Sequence, residues 1–294
     1  MRRLARYVLK RSRLRRRRHR AKPSWPPKLV IFDFDGTIAD TFDAGVRILN
    51  KLAGEFGFRP LHPNDLEKAR DMRTHQLVRF LGVPARKMSR IARRGSEELH
   101  SCIQSIQPLR GMPEALRELR GLGYSLGIIT SNTELNVNIF LRNHGLELFD
   151  FVRCSSKLLG KARMIRSVIR RQHVHAVDIL FVGDETRDIE ACQRVGVRIA
   201  AVTWGYNSRR SLVAMKPDFV FDDPQELVSL LARQAAPGQA TTTTYAEMSG
   251  TATSASAAAT GSASTSPGGV TPDVQKSTST LQLQGEGRAS GFSS

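Results

Sequence analysis

Residues 29 to 41 read LVIFDFDGTIADT, and no other stretch limits the fold as tightly. Four apolar residues, Leu29 to Phe32, run without a polar interruption into Asp33. A continuous apolar run bounded by a turn signal predicts a strand covered on both faces, as in a parallel sheet; a strand with one wet face would alternate. In an open α/β sheet the ligand crevice lies beyond the carboxyl ends of the strands. Asp33 and Asp35 therefore stand at the mouth of a site, and Gly36 lets the backbone turn away. Taken alone, the stretch also fits a solvated Asp-Gly turn. Two carboxylates two residues apart at the end of a buried strand repel each other, however, and their burial calls for a cation or a shared proton. Mg²⁺, a hard ion that takes oxygen ligands, meets that need.

The rest of the chain supplies partners. After Asp40 the apolar residues Val46, Leu49, Leu52, Ala53 and Phe56 recur at helical spacing up to Gly57. Helical segments are expected over Leu66 to Phe80, Arg86 to Arg94 and Glu97 to Ile106, with no alternating strand pattern among them. About 65 residues of helix between two strand signals exceed an ordinary crossover and read as an inserted cap. Pro108 to Gly123 predicts a turn and a helix, and Ser125 to Thr130 a second buried strand that ends in Thr130, Ser131 and Asn132. A helix over Glu134 to Asn143, a short strand over Phe149 to Cys154 and a helix from about Lys161 to Arg171 follow. Two further strands are expected, Asp178 to Val182, running into Gly183-Asp184-Glu185-Thr186-Arg187-Asp188, and Val197 to Thr203. Alternating buried strands and helices predict an α/β fold, a doubly wound parallel sheet of the Rossmann type with an all-helical cap inserted. Every polar cluster falls just past a strand end, as one site built from several loops requires.

Charge and composition separate the ends from this body. Residues 1–28 hold 13 Lys or Arg and no acid, and residues 235–294 are mostly Ala, Thr, Ser, Gly and Gln. Both are expected to be disordered. Without them the formal charge of +18 drops to 30 basic against 24 acidic residues. The expected domains are thus a basic arm (1–28), a core (29–41 and 108–234), a helical cap (42–107) and a low-complexity tail (235–294). Three readings of the arm stand side by side: an organelle transit peptide, a polyanion contact through residues 2–20 with nucleic acid or an anionic membrane, or an extension without a role. Cys102, Cys154 and Cys192 form no CxxC pair, so neither a disulfide framework nor a zinc site is indicated, and a reducing compartment fits. The expected location is cytoplasmic, or a plastid or mitochondrion if residues 1–28 are a transit peptide. No apolar run approaches the roughly 18 residues needed to span a bilayer.

Over residues 29 to 232 the chain resembles the haloacid-dehalogenase superfamily, in its phosphoglycolate-phosphatase-like branch with a helical cap after the first strand. Four motifs stand in that family's order. The resemblance implies that Asp33 is the nucleophile and Asp35 the general acid and base. It implies that Thr130, with Ser131 and Asn132 beside it, binds a phosphoryl oxygen, and that a lysine, Lys161 or alternatively Lys157, offsets charge. The metal set it implies is Asp33, Asp35 through its backbone carbonyl, Asp184 directly, and Asp188 through water or by orienting the lysine. Glu185 is an unusual neighbour for the fourth-motif Asp.

The chemistry asks for these residue types. A carboxylate reaches the phosphorus of an anionic ester only when a cation, a lysine and hydrogen-bond donors offset the charge. Attack by Asp33 would form an aspartyl-phosphate, with Asp35 protonating the leaving alkoxide and then deprotonating water. The expectation is an Mg²⁺-dependent phosphatase acting on a small phosphorylated metabolite such as phosphoglycolate. Dehalogenases of the same fold lack the second Asp, so Asp35 argues against that chemistry. A phosphomutase keeps all four motifs and is the nearest rival. A phosphatase domain whose basic arm binds nucleic acid or anionic membrane is the alternative from another class. Oligomeric state has no signature in the sequence.

Overall fold

Leu29–Phe32 form strand β1, and all four residues are fully covered because β1 lies inside a sheet that has helices on both faces. The computed structural model describes residues 25–155 and 160–234; residues 1–24 of the arm, including the polyanion stretch 2–20, the tail and Lys157 lie outside the described residues. Six strands run parallel in the order β3-β2-β1-β4-β5-β6, with β2 at Ser125–Thr130, β3 at Phe151–Cys154, β4 at Ile179–Gly183, β5 at Arg198–Val202 and β6 at Phe219–Phe221. Phe32 of β1 sits opposite Ile128 of β2 on one side and Val182 of β4 on the other. The chain builds outward from β1 through β2 and β3, then returns to lay β4 against the free side of β1. That reversal creates a crevice beyond the ends of β1 and β4.

The two faces follow from strand alternation. Val30, Phe32, Ile128 and Val182 face a cluster with Leu116 of helix α5 (Met112–Gly121), Phe140 of α6 (Glu134–Asn143) and Leu231 of α10 (Pro224–Ala232). Leu29, Ile31, Ile129 and Phe181 face the opposite cluster, with Ile165 of α7 (Lys161–Arg171), Ile189 of α8 (Thr186–Val195) and Leu212 of α9 (Arg209–Ala214). The fold is therefore the doubly wound α/β sheet that the buried runs predict.

Between β1 and β2 lie helices α1 (Phe42–Phe56), α2 (Leu66–Arg70), α3 (Thr74–Phe80) and α4 (Met88–Cys102). They bury a third cluster of their own around Leu52, Phe58, Leu61 and Leu81. Gly57 ends α1 at φ 73°, its N–H donating to the Ala53 carbonyl, a left-handed stop that a glycine allows.

The structure differs from the sequence reading at several boundaries. The expected helix Leu66 to Phe80 is broken, because Asp71 is held by Ser208 and Arg210 of the core, which pulls the chain out of the helical path. The two helices expected on either side of Gly95 are one, α4. It lies along α1, paired with it through Lys51–Glu98 at 2.8 Å and Arg94–Glu55 at 3.3 Å, with Gly95 set against Leu52 and Ile48, so packing on α1 carries the helix through the glycine. Strand β3 starts at Phe151 rather than Phe149, and the short elements α9 and β6 have no counterpart in the sequence reading.

Gly127 of β2 pairs with Phe151 of β3, and a Cβ placed there would stand 2.2 Å from the Phe151 ring. Gly127→Ala is expected to cost about 1–3 kcal/mol through overpacking, read as a lower denaturation midpoint with an unchanged slope. A midpoint equal to wild type would mean that the ring does not pack on this backbone.

Candidate active site

Three strand ends and the first turns of two helices deliver the polar groups of the crevice. Asp33 follows β1, Thr130 ends β2, Lys161 opens α7, Asp184 follows β4, and Asp188 sits in the first turn of α8; all five side chains are buried. The Lys161 ammonium is ion-paired with both Asp33 and Asp188. Asp33, Asp184 and Asp188 each offer a carboxylate oxygen, and these oxygens lie within 4.8 Å of one another. The Phe34 N–H donates to Asp33 Oδ1 at 2.8 Å. Asp184 accepts from the Thr37 hydroxyl and from the Tyr206 N–H, both at 2.7 Å. Close approach to Asp184 depends on two glycines, since a Cβ would lie 2.5 Å from Asp184 Oδ2 at Gly36 and 2.2 Å from it at Gly205. Gly36 also needs its positive φ of 73°.

The electrostatics explain what this cluster can hold. Burial, then repulsion from Glu185, Asp33 and Asp188, pushes the Asp184 carboxyl well above the usual carboxylate range. Asp188 is pushed up to about 7, by burial and by Asp33 and Glu185, with Lys161 pulling the other way. Burial would lower Lys161, yet Asp188 and Asp33 together hold it above its ordinary value, so the ammonium stays charged. Five acids, Asp33, Asp35, Asp184, Glu185 and Asp188, thus face two cations, Lys161 and Arg187. An all-oxygen, buried donor set with an excess of negative charge fits a hard divalent cation such as Mg²⁺. The residues present therefore match the expected metal.

Asp35 is arranged differently from the other three aspartates. Its carboxylate lies outside the 4.8 Å cluster, leaving only its backbone carbonyl for the metal role expected of it. Asn132 Nδ2 donates to both Asp35 oxygens, at 3.1 and 3.2 Å. Although the side chain keeps some access to solvent, the protein packed around it and the nearby Asp33 charge raise the Asp35 carboxyl to about 7 against the opposing Asn132 hydrogen bond. Asn132, expected at the substrate, holds the Asp35 carboxylate. It is itself oriented by Asn136 Nδ2 at 3.0 Å, and Asn136 Oδ1 lies 2.6 Å from Nδ1 of His100 at the end of α4. The Thr130 hydroxyl accepts the Asn132 N–H at 3.0 Å, and Ser131 Oγ lies 3.4 Å from Arg187 Nη2. Of the two candidate lysines, Lys161 is at the cluster.

Sequence reasoning missed the segment after β5. Tyr206 donates its N–H to Asp184 and its hydroxyl to the Thr41 carbonyl at 3.0 Å. Asn207 Oδ1 accepts the Thr186 N–H at 2.9 Å, while its Nδ2 donates to the carbonyls of Arg70 at 2.8 Å and Met72 at 3.1 Å in the cap. Arg70 Nη2 returns a bond to the Gly205 carbonyl at 3.0 Å. A cavity of about 240 Å³ lies here between cap and core, lined among others by Phe42, Val46, Leu66, Arg70, Glu185 and Tyr206. The one signal in the sequence was position, since this segment too follows a buried strand.

Comparison with known proteins agrees with this geometry. The family model described as haloacid dehalogenase-like hydrolase matches residues 30–202. A phosphoglycolate phosphatase of Synechococcus elongatus is 35% identical over 205 residues, covering 69% of this chain and 97% of that protein. Phosphoglycolate phosphatase 1 of Pseudomonas aeruginosa is 28% identical, over 69% of this chain and 79% of its own. Among solved structures, a predicted phosphoglycolate phosphatase from Haemophilus somnus superposes with a TM-score of 0.57 at 20% identity, over 69% of this chain and 97% of that one, which speaks to the fold.

Asn132→Ala removes the amide that orients Asp35, and kcat is expected to fall about tenfold, on the scale of one hydrogen bond to a charged group, with KM little changed. Steady-state kinetics checks this. A rise in KM at constant kcat would instead make Asn132 a substrate contact.

Proposed function

The chain belongs to the haloacid dehalogenase-like hydrolases and is a phosphatase of that family, and on that premise we propose that it hydrolyses a small phosphate monoester of the 2-phosphoglycolate kind, with Mg²⁺, through an aspartyl-phosphate on Asp33. The observation that carries the reading is the division of labour between two aspartates two residues apart. Asp33 faces Lys161 and the acidic cluster, while Asp35 is turned to Asn132 and raised to about 7. A nucleophile should be ionised and aligned, whereas an acid that must later act as a base works best with a pKa near the working pH. The small carboxylated substrate is supported by the 35% identity to the Synechococcus elongatus enzyme across nearly all of its length.

In this reading Asp33 attacks phosphorus, the bond from phosphorus to the ester oxygen breaks, and Asp35 gives its proton to the departing alkoxide. Asp35, now a carboxylate, takes a proton from water as that water attacks the phosphorus of the acyl phosphate. Inorganic phosphate leaves and Asp33 is restored. Lys161 screens Asp33 from the incoming dianion, and the Thr130 and Ser131 hydroxyls sit where they can donate to phosphoryl oxygens. Asp33, Asp184 and the Asp35 carbonyl would hold Mg²⁺, which when bound offsets phosphoryl charge. Asp188, already engaged by Lys161, suits an orienting role.

The test is a panel of phosphate monoesters compared by kcat/KM, in which 2-phosphoglycolate should lead and release inorganic phosphate without limit; a mutase would merely move the group. Asp33→Asn is expected to abolish turnover with the fold retained, and near-wild-type phosphate release from it would remove Asp33 from the mechanism. Asp184→Ala should raise the Mg²⁺ concentration needed for half-activity well beyond what Asp188→Ala does, since a direct ligand contributes charge as well as geometry; equal titrations would refute these roles.

A pH profile tests Asp35. Its acid form is present below about 7 and lost above it, so cleavage of an alkyl ester should slow as pH rises through that region. An ester with an activated leaving group, which needs no proton, should show a smaller alkaline loss. Identical alkaline limbs for the two esters would contradict Asp35 as the acid.

A further inference from the structure

The motif Gly183-Asp184-Glu185-Thr186-Arg187-Asp188 contains two charged residues that the mechanism above leaves without work, Glu185 and Arg187. Both side chains are largely covered, at 16% and 14% exposure. Arg187 Nη2 pairs with Glu185 and reaches Ser131 Oγ at 3.4 Å. Three buried side-chain donors lack a hydrogen-bond partner among the described residues, and two of them are Nε and Nη1 of this one guanidinium. Buried donors without a partner are uncommon and costly, so two on one side chain beside the acidic cluster call for a ligand. The other nearby cation, Lys161, is already engaged by two carboxylates.

We propose that Arg187 is a further substrate-binding residue, which turns from Glu185 to donate its Nη2 N–H and its unpartnered Nη1 N–H to phosphoryl oxygens of the ester, and that Glu185 holds the guanidinium in place when no substrate is present. The assignment rests on the phosphatase reading above and extends it to a residue that no motif of the resemblance names. Position favours the phosphoryl group over the rest of the substrate. Ser131, which Arg187 touches, directly follows Thr130 at the end of β2, and the positive charge of Arg187 acts on Asp33, Asp35 and Asp188 together. A planar guanidinium matches adjacent phosphoryl oxygens as an ammonium does not. Glu185 also lines the cavity between cap and core, so an anion entering the crevice would compete with it for the same donor.

The experiment uses the full chain with Mg²⁺ and compares wild type, Arg187→Met, Arg187→Lys and Glu185→Gln. Calorimetry reads the affinity for inorganic phosphate, and kinetics reads kcat/KM for 2-phosphoglycolate and for ethyl phosphate, which has no carboxylate. Arg187→Met is expected to weaken phosphate binding and lower kcat/KM about ten- to a hundredfold, equally for both esters. Because it leaves Glu185 without its ion-pair partner it also lowers the melting temperature, and the double variant Arg187→Met/Glu185→Gln, which leaves no such unpaired ion, should regain that stability and keep the loss of phosphate binding. Arg187→Lys should keep most of that loss, because charge without the planar fork does not replace it. Glu185→Gln, by freeing the guanidinium, should tighten phosphate binding. Full rescue by Lys would reduce Arg187 to charge balance, and a loss confined to 2-phosphoglycolate would move its contact to the carboxylate; either overturns the proposal. If wild type binds phosphate but hydrolyses neither ester, the phosphatase reading fails, while the phosphate affinities of the variants still decide the role of Arg187.

Discussion

One ammonium between two buried carboxylates holds the crevice together. Lys161 pairs with Asp33 from the end of β1 and with Asp188 from the start of α8, so three elements on both sides of β1 meet at a single charge. Removing one partner from a buried pair leaves an uncompensated ion, at a cost of about 3–5 kcal/mol, a large part of the stability of an ordinary domain. The same arrangement leaves Asp184 and Asp188 under repulsion that raises both carboxyls. The cluster is therefore strained toward a cation by its own charges, and the glycines that crowd Asp184 hold its oxygens fixed while that strain persists.

The cap reaches this centre by two separate routes. From α4, His100 meets Asn136, Asn136 meets Asn132, and Asn132 holds the Asp35 carboxylate. From the end of α2, the Arg70 carbonyl accepts from Asn207, whose neighbour Tyr206 donates to Asp184. One chain of hydrogen bonds ends on Asp35, the other on Asp184 in the acidic cluster. Both pass through buried amide or backbone groups, which tolerate little misalignment before a polar group is left unpaired. The position of the cap and the geometry of the Asp35 and Asp184 carboxylates are thus coupled through fixed bonds as well as through the shape of the cavity.

Much of this was written into the sequence. The apolar runs at Leu29–Phe32, Ser125–Thr130 and Ile179–Gly183 could be covered only inside a parallel sheet, and an acid or hydroxyl at the end of each could point only into one crevice. That Asp33, Thr130 and Asp184 meet at one crevice was legible for the same reason, because strand polarity puts every carboxyl end on one edge. What the sequence left open was which neighbour each polar side chain would find. Asn132 follows Thr130 and so reads as a phosphate ligand, yet its amide is turned to Asp35 by Asn136, four residues along the next helix. The sequence reads as two helices on either side of Gly95, yet α4 runs through it, packed along α1, which is distant in sequence. Tyr206 carries no local signal, since the Asp184 it meets is 22 residues away, and nothing near Arg187 in the chain places it beside Ser131, 56 residues away. Periodicity and strand direction, which act through near neighbours, were settled by the amino-acid order alone; hydrogen-bond partners and charge balance, which act through space, were decided only when the chain folded.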